Sequence, residues 1–202
     1  MRDESAWPLA VLGPFHPYRG GIAHHTTLLA RSLLSQHPVL GLNFSRLYPG
    51  FLFPGRTQYD DSSDPLQASG IETPRCVDSI GPWSWRRAAQ QAIDFQARLL
   101  ILQWWHPFFA PSYAAIAGRC RKRGIRTLFL CHNVLPHESS RVDGALVRWG
   151  LGAADAFIVQ SQGDQETLQR LMPGKPVELT PHPAYNFFRT GTWERQAARQ
   201  HL

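Results

Sequence analysis

Residues 9–34 read LAVLGPFHPYRGGIAHHTTLLARSLL. The first four, Leu9–Leu12, form a short continuous apolar run, as a strand buried on both faces does. Turn-forming residues follow. From Ile22 onward apolar residues recur at helical spacing, which predicts a helix over Ile22–Gln36. The chain thus passes from strand to helix through Gly20-Gly21. Glycines there let another backbone or a ligand approach closely, and a helix N-terminus offers free N–H groups to an anion or a polar sugar. The loop matches neither G-x-G-x-x-G nor a Walker sequence, so dinucleotide binding has weak support. A plain tight turn is the other reading of the two glycines.

The same rhythm repeats outward from this stretch. Strands are predicted at Val39–Phe44, Leu99–Gln103, Thr127–Cys131, Ala156–Gln160 and Val177–Leu179, with a weak one near Cys76–Val77. Helices are predicted at Ser84–Gln96, Ser112–Arg123, Arg141–Ala153 and Gln162–Met172. Short apolar strands alternating with helices give a doubly wound α/β domain with a mainly parallel, Rossmann-like sheet. Ser45–Gly70 departs from the rhythm. Its Pro-Gly pairs, aromatics and acidic cluster read either as a surface loop beside a site or as an excursion without a role. Thr180–Arg189 reads as an extended connector, and Thr192 as the N-cap of a helix over Trp193–Leu202.

The chain has 202 residues, 43% of them hydrophobic and 18% charged, which suits a globular domain with a sizeable core. No run is long and apolar enough to span a bilayer, and residues 1–6, MRDESA, do not resemble a signal peptide. A cytoplasmic location is the expectation. The three cysteines, Cys76, Cys120 and Cys131, lie far apart, which argues against a disulfide framework or a cysteine zinc site. Net charge is +6, with arginine concentrated at Arg86-Arg87 and in Arg119–Arg126. Such a face is either a set of solvated helix ends or a surface for an anionic membrane or a phosphorylated small molecule. No RNA-binding signature accompanies it, and a nucleic-acid partner is not expected.

In an open parallel sheet, ligands lie beyond the carboxyl ends of the strands. Four histidines follow predicted strand ends there: His16, His106, His132 and His182. Each can hydrogen-bond a sugar hydroxyl or move a proton, and each alone can be a structural residue. Together they predict a polar crevice. His132, His137 and Glu138 are separated by Pro136 and do not share a helix face, so a metal site is not expected. A serine hydrolase is also a poor reading, because Ser161 lies in VQSQGD without the glycine elbow. Trp104, Trp105, Phe108 and Phe109 are either core or a surface for sugar rings or a partner.

Five stretches now carry a resemblance: PFHPYRGGIAHHTTLLARSLL, QWWHPFFAPSYAAIA, FLCHNVLPHE, ADAFIVQSQGDQETL and HPAYNFF. In this order, over roughly Pro8 to Phe188, they resemble the amino-terminal domain of retaining GT-B glycosyltransferases of the group 1, family 4-like kind. The resemblance implies two Rossmann-like domains facing over a cleft. The amino-terminal one mainly binds the acceptor, and the second holds most donor contacts and a pair of glutamates. It implies that Gly20 and Gly21 face the donor phosphate or the acceptor, that His106 lies near the reacting sugar, and that His132 and Asn133 line the acceptor side. Residues 1–190 would be the acceptor-side domain, and residues 191–202 the lead into a carboxyl-terminal donor-binding domain, supplied in cis or trans. The implied reaction moves a hexose from a nucleoside-diphosphate sugar, a substrate rather than a cofactor, to a saccharide or lipid-linked acceptor with retention and without metal. The 202-residue chain alone would then have little activity. The basic surface would suit peripheral contact with the inner membrane face. Two rivals are a non-catalytic half that binds a separate carboxyl-terminal partner and an unrelated nucleotide-binding Rossmann protein. The latter wants a carboxylate at the end of the second strand, where Asn43 and Arg46 stand.

Overall fold

The computed structural model describes residues 6–50, 57–59, 70–135, 141–183 and 199. Seven strands among them form one all-parallel sheet: β1 (Leu9–Leu12), β2 (Val39–Arg46), β3 (Arg75–Asp78), β4 (Leu99–Trp104), β5 (Arg126–Cys131), β6 (Ala156–Val159) and β7 (Val177–Leu179). Their order in space is β3-β2-β1-β4-β5-β6-β7. The chain order therefore reverses between β1 and β4, which pair directly. This switch point opens a crevice at the carboxyl ends of those two strands. The strand near Cys76–Val77, the weakest by sequence, is β3, an edge partner of β2.

Among the described residues five helices link the strands: α1 (Gly21–Leu34), α2 (Pro82–Asp94), α3 (Ala110–Arg121), α4 (Arg141–Gly152) and α5 (Gln162–Leu171). A short 3-10 turn, Pro107–Phe109, precedes α3. Helices α2 and α3 begin two residues earlier than the sequence spacing predicts, because Pro82 and Pro111 take first-turn positions where a missing N–H costs nothing.

α2, α3 and α4 pack side by side over one face of the sheet. The larger core lies beneath them, with Leu100, Leu102, Trp104, Phe109, Tyr113, Phe129 and Phe157 removed from solvent. A methyl group on Gly150 would come within 2.8 Å of both Trp104 and Ala110, so α4 seats closely on the start of α3. The other face carries a smaller core of Val11, Phe15, Ala30, Val39, Ile101 and Leu130. α1 covers part of it with Thr26, Thr27 and Ala30, small residues that allow close approach to the strands. The threonine hydroxyls donate back to the carbonyls of Ile22 and Ala23, at 2.7 and 2.8 Å, and so stay satisfied while buried.

The Trp104–Phe109 aromatics are mainly core. Trp104 and Phe109 are fully buried, while Trp105 and Phe108 are partly covered. Tyr48, from the segment after β2, stacks on Phe108 at 5.6 Å and its hydroxyl accepts from Trp105 Nε1 at 2.9 Å. Gln58 clamps the backbone of Tyr48 from both sides. The described part of that loop is thus held against the sheet. Its acidic cluster, the segment with His137 and Glu138, and the helix over Trp193–Leu202 apart from Arg199 lie outside the described residues. All three cysteines are free thiols. Among the described residues no helix is long and apolar enough to cross a membrane.

Candidate functional site

The loop after β1 is fixed before it reaches the helix. Asn43, buried on β2, accepts from the Phe15 N–H at 3.0 Å and donates to the His16 carbonyl at 3.3 Å. The residue at the second strand's end is therefore an internal tether. Gly13 lies where a Cβ would meet Gln103 Cγ at 2.8 Å and Thr26 Oγ1 at 3.0 Å, so glycine lets the loop nest between β4 and α1.

The loop ends at Gly20, whose φ of +110° favours glycine. Gly20 is the N-cap of α1 and supplies no side-chain cap, and the first turn holds no acidic residue. A Cβ at Gly20 or Gly21 would meet nothing within 4 Å among the described residues. The helix N-terminus is thus exposed, and its positive end is uncompensated by any nearby carboxylate in its own first turn.

One turn into α1 stands His25, a residue the strand-end rule passes over. It is only 5% exposed. Its ring meets His132 edge-on at 4.7 Å between centroids and lies 5.6 Å from the ring of His182. α1, the end of β5 and the segment after β7 therefore converge. Two glutamines complete the cluster. Gln103, on β4, contacts His132 Nε2 at 2.7 Å through Oε1. Gln160, just past β6, lies 3.2 Å from His132 Nδ1 and 3.3 Å from His25 Nε2.

Burial pushes His25 down to about 4, and His182 nearby adds to the shift. Burial, then His25, pushes His132 down to about 3. Both rings are neutral at neutral pH, and a neutral imidazole has one N–H. Gln160 turns its Oε1 to His132 Nδ1 and its Nε2 to His25 Nε2, so it accepts from His132 and donates to His25. His25 Nδ1 and Gln103 Nε2 are buried as well. Neither has a hydrogen-bond partner among the described residues, and the same holds for His16 Nε2. Buried polar atoms of this kind are costly unless something satisfies them.

The loop with His132 and Asn133 is pinned on both sides. The His132 N–H donates to the Trp104 carbonyl at 2.8 Å, and the Val134 N–H donates to Asp164 on α5 at 3.0 Å. Asn133 is exposed between them.

His106 does not join the cluster. It is exposed after β4, and its Nδ1 accepts from the Phe108 N–H at 3.1 Å as the N-cap of the 3-10 turn. That contact fixes the tautomer, leaving the proton of the neutral ring on Nε2 as a donor. Of the four strand-end histidines, the structure brings together His132 and His182, adds His25, and gives His16 and His106 separate positions. Gln103 and Gln160 had a readable signal, a polar residue closing an apolar strand run. His25 had none, since its polar character breaks the apolar stripe of α1.

The model of Glycosyltransferase Family 4 matches residues 19–184. An alpha-glucosyltransferase solved with UDP and a 13-mer DNA aligns over 92% of this chain and 44% of its own, with a TM-score of 0.59 at 11% identity. The sucrose-phosphate synthase of Thermosynechococcus elongatus aligns over 96% of this chain and 52% of its own, with a TM-score of 0.59 at 13% identity. The E. coli trehalose-6-phosphate structure with UDP-2-fluoro glucose gives 0.51 at 14% identity, over 96% and 53%. None of the curated proteins compared matches by sequence. The chain spans about half the length of these three solved structures. The fold is the Rossmann-like half of a GT-B glycosyltransferase, and the chain belongs to Glycosyltransferase Family 4.

Proposed function

We propose that this chain is the acceptor-side half of an enzyme that transfers a hexose from a nucleoside-diphosphate sugar to a saccharide or lipid-linked acceptor, with retention. The observation that carries the reading is the glycine-opened, uncapped N-terminus of α1 beside a histidine-lined edge at the β1–β4 switch point, in a chain of this family. Backbone N–H groups and the helix dipole suit the charge that develops on a leaving diphosphate. His106, with its proton on Nε2, donates to a hydroxyl of the reacting sugar. His132 and Asn133 form the acceptor wall, while His16 and His182 add polar groups to the crevice. No metal or organic cofactor is needed in this scheme, where positioning and fixed dipoles lower the barrier.

The donor half comes from a carboxyl-terminal GT-B domain, in cis or in trans, so the 202-residue chain alone transfers little sugar. The enzyme works in the cytoplasm, at the inner face of the membrane where a lipid-linked acceptor is presented. The test uses the complete enzyme, a panel of nucleotide sugars, and the anomeric signals of product by NMR. Retention predicts a product with the donor's anomeric configuration. An inverted product overturns retention, and hydrolysis or transfer at full rate by the 202-residue chain overturns the division of labour.

A further inference from the structure

We propose that the helical layer formed by α2 and α3 docks on an anionic lipid bilayer, with Trp83 entering the interface and Arg86, Arg119 and Lys122 meeting the headgroup phosphates. The proposal gives the membrane contact of the reading above a location. It is tested without donor, acceptor or catalysis, so either can fail while the other stands.

Trp83 is 76% exposed at the start of α2, an unusual place for the largest apolar side chain. The Arg86 guanidinium lies 5.5 Å from its ring centroid, and the pair stands over a groove of about 600 Å³ between α2 and α3. Trp85 forms the inner wall, with its Nε1 donating to the Asp78 carbonyl at 2.6 Å. Arg119 and Lys122 of α3 close the other side over a floor of small residues, and among the described residues no acidic side chain lines the groove. Arg119 Nε is buried and has no hydrogen-bond partner among the described residues. Neither Arg86, Arg119 nor Lys122 enters an ion pair among them, unlike Arg46 with Asp78 and Arg121 with Asp155.

The surroundings favour a bilayer over a polyanion. Ile80, just before α2, is 46% exposed, and Trp149 is 55% exposed on α4, which packs on the far side of α3. An exposed isoleucine and exposed tryptophans beside cations suit a bilayer interface better than a polyanion. A membrane interface takes aliphatic chains, and tryptophan beside arginine suits its headgroup level. Each cation near an anionic surface contributes about a fivefold gain in partitioning.

The test is co-sedimentation of the chain with phosphatidylcholine vesicles and with mixed phosphatidylcholine–phosphatidylglycerol vesicles. Binding to the mixed vesicles alone, weakening with added salt, is expected. Trp83→Ser and Arg86→Glu alter exposed side chains and should lower partitioning about tenfold each with unchanged thermal unfolding. Arg119→Glu with Lys122→Glu should lower it more than about tenfold. Equal binding to both vesicle types, or no effect of these variants, overturns the proposal. So does release by millimolar inorganic phosphate, which would make the groove a site for a free anion, or binding to heparin or DNA without binding to vesicles.

Discussion

His106 and His132 occupy corresponding places, each just past the end of one of two paired strands, β4 and β5. Their surroundings divide them. His132 is enclosed by Gln103, Gln160 and His25, with both ring nitrogens within hydrogen-bond distance of an amide. His106 stands in solvent with one nitrogen occupied by the Phe108 N–H and the other free to meet a ligand. A strand end therefore delivers a histidine to the crevice edge without fixing its role. The role follows from what the neighbouring strands place opposite it. A surrounded ring is fixed by its neighbours, and an exposed one keeps a nitrogen open to a ligand.

The sharpest way to break this contrast is substitution at both places in the complete enzyme. His106→Asn keeps a good N-cap for the 3-10 turn but removes the imidazole donor. It should lower kcat/KM by about 10²–10³-fold with little change in Tm. His132→Ala should instead lower stability by about 1–3 kcal/mol, because Gln103 and Gln160 lose their shared partner. Unchanged kcat/KM in His106→Asn, together with a loss of activity at intact Tm in His132→Ala, would exchange the two roles.

The second test uses pH. His25 and His132 stand at about 4 and about 3 in the folded chain, below the 6.5 of the free side chain. The unfolded chain therefore binds more protons in the window between these values, and stability rises with pH across it. The contribution is fully present above pH 6.5 and is lost as pH falls toward 4 and 3. Between pH 7 and pH 5 the loss is about 2 kcal/mol for each ring. Urea midpoints across that range measure it. His25→Asn should flatten the profile by about half, since one of the two depressed rings is gone. A profile that stays flat in the original chain would mean that these rings are hydrated rather than enclosed.

Much of this arrangement was legible before the structure. The apolar runs mark strands because a parallel sheet covered on both faces needs no polar alternation, and even the weak signal at Cys76–Val77 is β3. The positions of Gly20, His132 and His182 on one edge follow from the β-α order alone. The convergence on His25 does not, because it needs α1, the end of β5 and the segment after β7 to meet, which no local pattern encodes. Nor does the tether at Asn43. Its side chain reads as a missing carboxylate in sequence, and its hydrogen bonds to Phe15 and His16 arise only when β2 and the β1 loop meet. The aromatic run Trp104–Phe109 left core and surface open, since both use the same residues. The packing of Gly150 against Trp104 and of Tyr48 against Phe108 resolves it toward core.

The smallest effect sharpens the same contrast within the glycine pair, between a residue that shapes the backbone and one that admits a ligand. Gly20 adopts φ +110°, so Gly20→Ala is strained whatever space surrounds it and should cost about 1–2 kcal/mol of stability. Gly21 is the first residue of α1, with ordinary φ and nothing within 4 Å of an added Cβ. Gly21→Ala should leave stability unchanged or raise it by up to about 1 kcal/mol, as alanine does in a helix. If the open N-terminus of α1 receives the donor diphosphate, that single methyl group should still raise the donor KM, by about tenfold, a misfit of about 1.4 kcal/mol. Steady-state kinetics beside thermal unfolding reads both quantities on one variant. A raised KM at equal or higher Tm assigns the space above Gly21 to the ligand. An unmoved KM reduces the pair to a turn.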